Sequence, residues 1–272
     1  MLIDGKILAQ QIKDQLYLEV QNLQPQGIHP SFSVILVGHD PGSETYVRQK
    51  KKAAESIGIT FNSYLFENNV SEKKLLDTVD WLNQDKKTHG IIVQLPLPPH
   101  LDSKKIGERV DPKKDIDGFH PQTQFIPPVA KAVLEILKSI NIDPKDKKVV
   151  VIGRGETAGK PIANILIQKG SRVTIAHSNT KNMQFLTKQA DIVISCVGKK
   201  NVITPQMVNK NTILIGVGLH REANGKLYGD YDEEKIANKV TYYTPTPGGM
   251  GPVNVACLLK NVLQAAALNT LK

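Results

Sequence analysis

Lys50 is the residue whose type and setting point most directly to chemistry. It lies in a segment, residues 43–57, whose apolar positions Tyr46, Val47, Ala53, Ala54 and Ile57 form one stripe at helical spacing. Lys50 falls on that stripe one turn after Tyr46, whereas Arg48, Gln49, Lys51 and Lys52 point elsewhere. A cation on an apolar face is costly unless it is paired or set in a cleft. Burial there disfavours the charged form and draws the pKa down toward values useful for proton transfer. The other reading is a lysine that snorkels from the edge of the stripe to water. Gln94 ends an apolar run just before Leu95-Pro96, where open α/β sheets place ligand groups; a solvated strand end is the plainer alternative. Asp117, in the acidic turn Asp115-Ile-Asp-Gly-Phe-His-Pro121, can hold a pair of ligand N–H groups or simply make an Asp-Gly turn.

A second chemistry, phosphate binding, is suggested by Lys148-Val-Val-Val-Ile-Gly-Arg-Gly-Glu-Thr-Ala-Gly159. A β-branched run ends at glycine, and a helix-compatible segment with Pro161 near its start follows at once. Free N–H groups and the helix dipole then face the turn, which suits an anion. The spacing Gly153-x-Gly155-x-x-x-Gly159 is one residue longer than the usual dinucleotide fingerprint, and an ordinary glycine turn remains an alternative. Thr244-Pro-Thr-Pro-Gly-Gly-Met-Gly-Pro252 combines prolines that fix the backbone with glycines that allow close approach, and reads as a ligand loop.

The elements that must position these residues alternate between helix and strand, which predicts an α/β protein with mainly parallel sheets. The spacing predicts helices over 6–23, 43–57, 71–83, 129–140, 160–169, 181–188 and 252–268. It predicts strands over 33–37, 61–66, 90–94, 149–152, 172–176, 191–196, 213–215 and 240–243. A loop rich in Asp, Lys and Pro, 111–128, marks a domain border, and the last helix is expected to pack back on the first domain.

The 272 residues suffice for two modest domains. The opening Met1-Leu-Ile-Asp-Gly-Lys6 lacks the apolar core of a signal peptide, and no apolar run is long enough to span a bilayer, so no membrane role is expected. Cys196 and Cys257 lie in apolar segments without metal-like spacing and read as buried thiols of a reducing cytoplasm. The seven histidines are scattered, so no metal site is expected. The net charge of +9 suits polyanionic ligands, while the absence of a basic patch interleaved with aromatics speaks against nucleic acid.

Together the motifs resemble the bifunctional methylenetetrahydrofolate dehydrogenase/cyclohydrolase family. The matching pieces are Tyr46-Val-Arg-Gln-Lys50-x-x-Ala-Ala-Glu-x-Ile-Gly58, Val93-Gln-Leu-Pro-Leu97, Lys114-Asp-Ile-Asp-Gly-Phe-His-Pro121, Gly153-Arg-x5-Gly-Lys-Pro161, His177-Ser-x-Thr180 and Thr246-Pro-Gly-Gly-Met-Gly-Pro252. They run in the family's order over nearly the whole chain. The resemblance implies two α/β domains with a cleft between them: a folate-binding catalytic domain over residues 1–121, completed by a C-terminal helix over 253–272, and a Rossmann-type NADP-binding domain over 122–252. It implies Lys50 as the catalytic lysine, Gln94 as the glutamine that hydrogen-bonds it, Tyr46 packing on the folate, and Asp117 gripping the pterin edge. The backbone of Pro247, Gly248 and Gly249 would line the same site. Gly153, Arg154, Gly155, Gly159, His177 and Ser178 would bind the cofactor, with Arg154 and Ser178 at the 2′-phosphate, which implies NADP over NAD. The implied substrates are one-carbon derivatives of tetrahydrofolate, and the implied assembly is a cytoplasmic homodimer. The implied reactions are NADP-dependent oxidation of 5,10-methylenetetrahydrofolate to 5,10-methenyltetrahydrofolate, then hydrolysis to 10-formyltetrahydrofolate.

The chain departs from the family at several points. The loop after His120-Pro121 is shorter by several residues, and the usual Pro-Cys-Thr-Pro is Pro127-Pro-Val-Ala130. The usual Ile-Asp-Val-Gly-Ile-Asn is Ile215-Gly-Val-Gly-Leu-His220, and the threonine after Gly-x-Gly-Pro is Asn254. These changes concentrate on the cofactor side and the junction. They leave a cyclohydrolase-only or weakly active relative as an alternative reading, and a Rossmann dehydrogenase of a small hydroxy acid as a more distant one.

Overall fold

The computed structural model describes residues 1–222 and 225–270. In chain order the elements are α1 (Gly5–Leu23), β1 (Ser31–Val37), α2 (Pro41–Glu55), β2 (Thr60–Phe66), α3 (Glu72–Gln84), β3 (Gly90–Val93), α4 (Ser103–Gly107), α5 (Pro128–Ser139), β4 (Lys148–Ile152), α6 (Gly159–Gln168), β5 (Arg172–Ala176), α7 (Met183–Lys188), β6 (Ile192–Ser195), β7 (Ile213–Gly216), β8 (His220–Arg221), β9 (Leu227–Tyr228), α8 (Glu233–Ile236), β10 (Tyr242–Tyr243) and α9 (Met250–Thr270).

The chain divides into two packed units. One comprises Gln10–Pro128 with the residues from Val255 onward; the other comprises Met1–Ala9 with Val129–Asn254. The border thus falls after Pro128 rather than after Pro121, because Asn261 of α9 donates to the carbonyls of both Ile116 and Ile126 at 2.8 and 2.9 Å and holds that loop. The first nine residues pack with Val129–Asn254, where Ile3 N donates to Tyr243 O at 2.8 Å and Tyr243 N donates to Met1 O at 3.0 Å.

The unit containing Gln10–Pro128 has a three-stranded parallel sheet in the order β2-β1-β3. Every residue of the central strand Ser-Phe-Ser-Val-Ile-Leu-Val is buried, as expected of a parallel strand covered on both faces. Leu75, Val79 and Leu82 of α3 pack with Ile35, Val37 and Ile91 of the sheet. Asp40 caps α2 by accepting from Ser43 N at 2.7 Å, and Pro41 occupies the first turn, where no N–H partner is needed.

The other unit has a five-stranded parallel sheet in the order β10-β7-β6-β4-β5. Numbered along the chain the strands run 2-1-3-4-5, a doubly wound order that reverses between β4 and β6. It is a Rossmann-type sheet that ends at β5 on one side. Val150, Ile152, Val193 and Leu214 form its core. The two-residue strands β8 and β9 form a small antiparallel pair, and they and the short helices α4 and α8 carry too little periodicity to be read from the chain. Among the described residues no helix is long and apolar enough to cross a membrane.

Candidate functional site

The helical stripe on α2 puts Lys50 inside the unit and not at its edge. Its side chain is 3% exposed, so the snorkelling reading fails. Val47 and Ala54 of the same face are also buried. Gln94 follows β3 directly and still belongs to the ladder, its N–H donating to Ile35 O at 2.9 Å. Its amide NH2 donates to Leu95 O at 2.8 Å, which turns Oε1 toward α2, and Lys50 Nζ donates to that oxygen at 3.1 Å. The Lys50 nitrogen also lies 4.7 Å from the centre of the Tyr46 ring, one turn back on the helix.

Asp117 completes the group, and its neighbour Asp115 explains how. The bonds of the acidic turn are made by Asp115, whose carboxylate accepts from Gly118 N at 3.2 Å and His120 N at 2.8 Å. Asp117 is therefore spared the turn-forming role. Its carboxyl acts electrostatically on Lys50. Burial pulls the Lys50 pKa down, and the Asp117 charge partly offsets this. Burial likewise pushes the Asp117 carboxyl up, against the pull of Lys50. A buried amine with a lowered pKa, oriented by an amide oxygen and under the influence of a carboxyl, can take up and release a proton at lower pH than an ordinary lysine.

Lys114, in the same motif, serves the fold. It is buried and donates to the carbonyls of Leu82 and Asp85 at 2.9 and 2.8 Å, closing the C-terminal end of α3. A charged surface groove on α3 and α4 holds the ion pairs Lys105–Glu72 and Arg109–Asp80 and contributes nothing to this group.

In the Rossmann-type unit, the turn after β4 is tight. A Cβ on Gly159 would stand 2.0 Å from Gly153 O, so only glycine lets α6 start here. Arg154 and Gly155 lie exposed on this turn, with open space beside Gly155. At the end of the adjacent strand β5, His177 N donates to Thr180 Oγ1 at 2.9 Å and His177 Nδ1 accepts from Asn179 N at 3.2 Å. That turn leaves the Ser178 side exposed, and Gly153 N donates to Ala176 O at 2.8 Å, joining the two strand ends. Bare backbone at the start of α6, with a cation beside it and a hydroxyl on the next strand end, fits the diphosphate and an added phosphate of a dinucleotide.

The loop of Pro247, Gly248 and Gly249 lies in this same unit and is held by residues with no signature in the chain. Thr244, fully buried, accepts at Oγ1 from Gly216 N at 2.8 Å, and its carbonyl accepts from the Tyr231 hydroxyl at 2.5 Å. Thr246 N donates to Glu233 Oε1 at 2.5 Å. The Tyr231 ring explains one departure from the family: a Cβ at Gly216 would lie 2.9 Å from Tyr231 Cε1. The ring thus fills the space where the family pattern has an aspartate.

Comparison with known proteins identifies the family. The tetrahydrofolate dehydrogenase/cyclohydrolase catalytic domain matches residues 3–117, and the NAD(P)-binding domain of the same family matches residues 127–270. The chain is 42% identical to bifunctional protein FolD of Bacillus subtilis, covering 97% of each, and 44% identical to that of Nautilia profundicola, covering 97% of this chain and 96% of the relative. The crystal structure of the FolD methylenetetrahydrofolate dehydrogenase/cyclohydrolase from Campylobacter jejuni superposes with a TM-score of 0.95 at 38% identity, covering 98% of this chain and 99% of that one. The FolD enzyme of Trypanosoma brucei, complexed with NADP and an inhibitor, gives 0.96 at 33% identity, covering 100% and 99%.

Proposed function

The chain belongs to the tetrahydrofolate dehydrogenase/cyclohydrolase family, and from that premise we propose how its residues carry the two reactions. The protein is a bifunctional one-carbon folate enzyme. It oxidises 5,10-methylenetetrahydrofolate to 5,10-methenyltetrahydrofolate with NADP, then hydrolyses the methenyl form to 10-formyltetrahydrofolate. The single observation that carries this reading is the buried Lys50–Gln94 hydrogen bond.

In the first reaction the residues align rather than exchange protons. Tyr46 packs against the folate, and Asp117 accepts from the N–H edge of the pterin. NADP, when bound, supplies the acceptor for the hydride lost from the one-carbon bridge. Gly153, Gly155 and Gly159 would receive its diphosphate and Arg154 and Ser178 its 2′-phosphate, with His177 shaping the turn beside them. In the second reaction water adds to the methenyl carbon. Lys50 accepts a proton from that water and returns one to the ring nitrogen as its bond to the carbon breaks; the remaining hydroxyl proton passes to solvent as the C=O forms, leaving the formyl group on the other nitrogen. Gln94 keeps the amine aimed throughout.

The test is direct. Purified protein with methylenetetrahydrofolate and NADP is expected to yield reduced cofactor together with transient methenyl absorbance. Failure to produce either would end this reading. We further propose a cytoplasmic homodimer. Cys196 and Cys257 are not joined in a disulfide, which suits a reducing compartment. Strand β5 at the sheet edge exposes Ile175, and α6 and α7 expose Ile167 and Phe185, apolar surface that suits association. Light scattering at micromolar concentration should give twice the chain mass; a monomer mass would refute the dimer.

A further inference from the structure

Asp230 is fully buried in the Rossmann-type unit. Its carboxylate gathers four donors from one short stretch of chain. Oδ2 accepts from Ser195 Oγ at 2.6 Å and from Val197 N at 2.9 Å; Oδ1 accepts from Gly198 N at 2.7 Å and from Lys199 N at 2.9 Å. Successive backbone N–H groups curled round an anion are the arrangement that elsewhere binds phosphate. Here the anion is part of the protein, and its lone-pair sites are filled by residues 195–199.

The stretch so held has a particular position. It leaves the C-terminal end of β6, the strand beside β4, where the strand order of the sheet reverses. It also abuts the glycine turn: a Cβ at Gly153 would stand 2.8 Å from Cys196 O. The glycine turn and residues 196–199 are therefore the two sides of the switch point, where doubly wound sheets take their ligands. The local chain is built round the carboxylate. A Cβ at Gly218 would come within 2.4 Å of Asp230 Oδ2, so glycine is required there.

We propose that Asp230 is a positioning residue for the cofactor. It does not touch the dinucleotide. It fixes the backbone of residues 196–199 so that this stretch forms a rigid second wall opposite the Gly153–Gly159 turn. Because the amides of Val197, Gly198 and Lys199 are turned inward to the carboxylate, they are not offered to the ligand phosphates, which leaves that task to the glycine turn. The inference rests on the NADP reading above.

The test uses the full chain and measures NADP binding by calorimetry without folate. The wild type is expected to bind; a wild type that does not bind NADP would overturn the cofactor reading itself. Asp230→Asn keeps the size but puts an NH2 against N–H donors. It is expected to weaken NADP binding at least tenfold, with the melting temperature of the cofactor-free protein within a few degrees of wild type and methenyl hydrolysis retained. Ser195→Ala removes one of the four bonds, is expected to weaken NADP binding three- to tenfold, and carries the test if Asp230→Asn does not fold. NADP affinity within twofold of wild type in either folded variant would overturn the proposal. So would a parallel loss of melting temperature, hydrolysis and binding, since that pattern marks a purely structural role.

Discussion

Gln94 is aimed at Lys50 by its own neighbour: its amide NH2 donates to Leu95 O at 2.8 Å, and its oxygen therefore meets Lys50 Nζ at 3.1 Å. The orientation is not interchangeable, because a flipped amide would oppose NH2 to an ammonium and an oxygen to a carbonyl. The lysine is thus oriented by a neutral dipole and not by a full charge.

That choice sets the pH response. Burial holds Lys50 below its usual pKa, so the neutral amine is reached at lower pH than for an ordinary lysine. Gln94→Glu would place a carboxylate against the ammonium and raise its pKa, as an opposite charge in contact does. The limb of the hydrolysis profile that reports the amine should move to higher pH. An unmoved limb in Gln94→Glu would show that the amine does not govern the rate.

Lys50→Met removes the proton carrier and keeps the volume. Methenyl hydrolysis should fall about a thousandfold, within the range a positioned general base contributes, while hydride transfer falls less. Stability should not fall with it. The folded pKa of Lys50 lies below its unfolded value, so the folded state binds fewer protons in that window. Stability therefore rises with pH across the window, and below it the buried charge is a net cost that Met lacks. Melting at pH 7 is expected at or above the wild-type temperature. A variant that still hydrolyses the methenyl compound at the wild-type rate would remove Lys50 from the mechanism.

The stripe on α2 made Lys50 visible in the sequence, because burial on a helix follows spacing. The apolar runs Ser33–Val37 and Val149–Ile152 were visible for the same reason: parallel strands covered on both faces leave unbroken β-branched sequence. What spacing could not show was which of two aspartates, Asp115 or Asp117, makes the turn, since either fits an Asp-Gly signal. The same limit hid Asp230 and Thr244, whose partners lie 35 and 28 residues away. Their roles arise only when separate strand ends come together. The border after Pro128 depends likewise on Asn261, 135 residues from its partner Ile126.

Asn261 gives a stability prediction. It is fully buried and its NH2 serves two carbonyls, Ile116 before the shortened loop and Ile126 within it. Asn261→Leu leaves both without that donor, and an unsatisfied buried polar group costs about 1–3 kcal/mol. A loss of about 2–4 kcal/mol is expected by urea denaturation, together with weaker folate binding, because Ile116 directly precedes Asp117. Unchanged stability would mean that the loop is held by its other bonds, such as Asp115 to His120 N.

Arg154 carries the cofactor choice. It lies exposed on the turn between β4 and α6, and the exposed Ser178 follows the end of the neighbouring strand β5, to which the turn is joined by Gly153 N and Ala176 O. A guanidinium there meets a 2′-phosphate with charge-assisted bonds and finds no such partner on NAD. The wild type should therefore prefer NADP. Arg154→Ala should weaken NADP binding roughly ten- to hundredfold, the equivalent of about 1.5–3 kcal/mol for a bond to a charged group. NAD binding should barely change, since the lost contact involves only the added phosphate. The effect should also shrink in high salt, because the site is open to solvent and its charges are screened. Titrating both cofactors into both proteins at two salt concentrations decides the matter. Equal wild-type affinity for NAD and NADP would defeat the assignment of Arg154. An equal loss of both cofactors in Arg154→Ala would do the same, showing that the arginine supports the turn itself and does not read the phosphate.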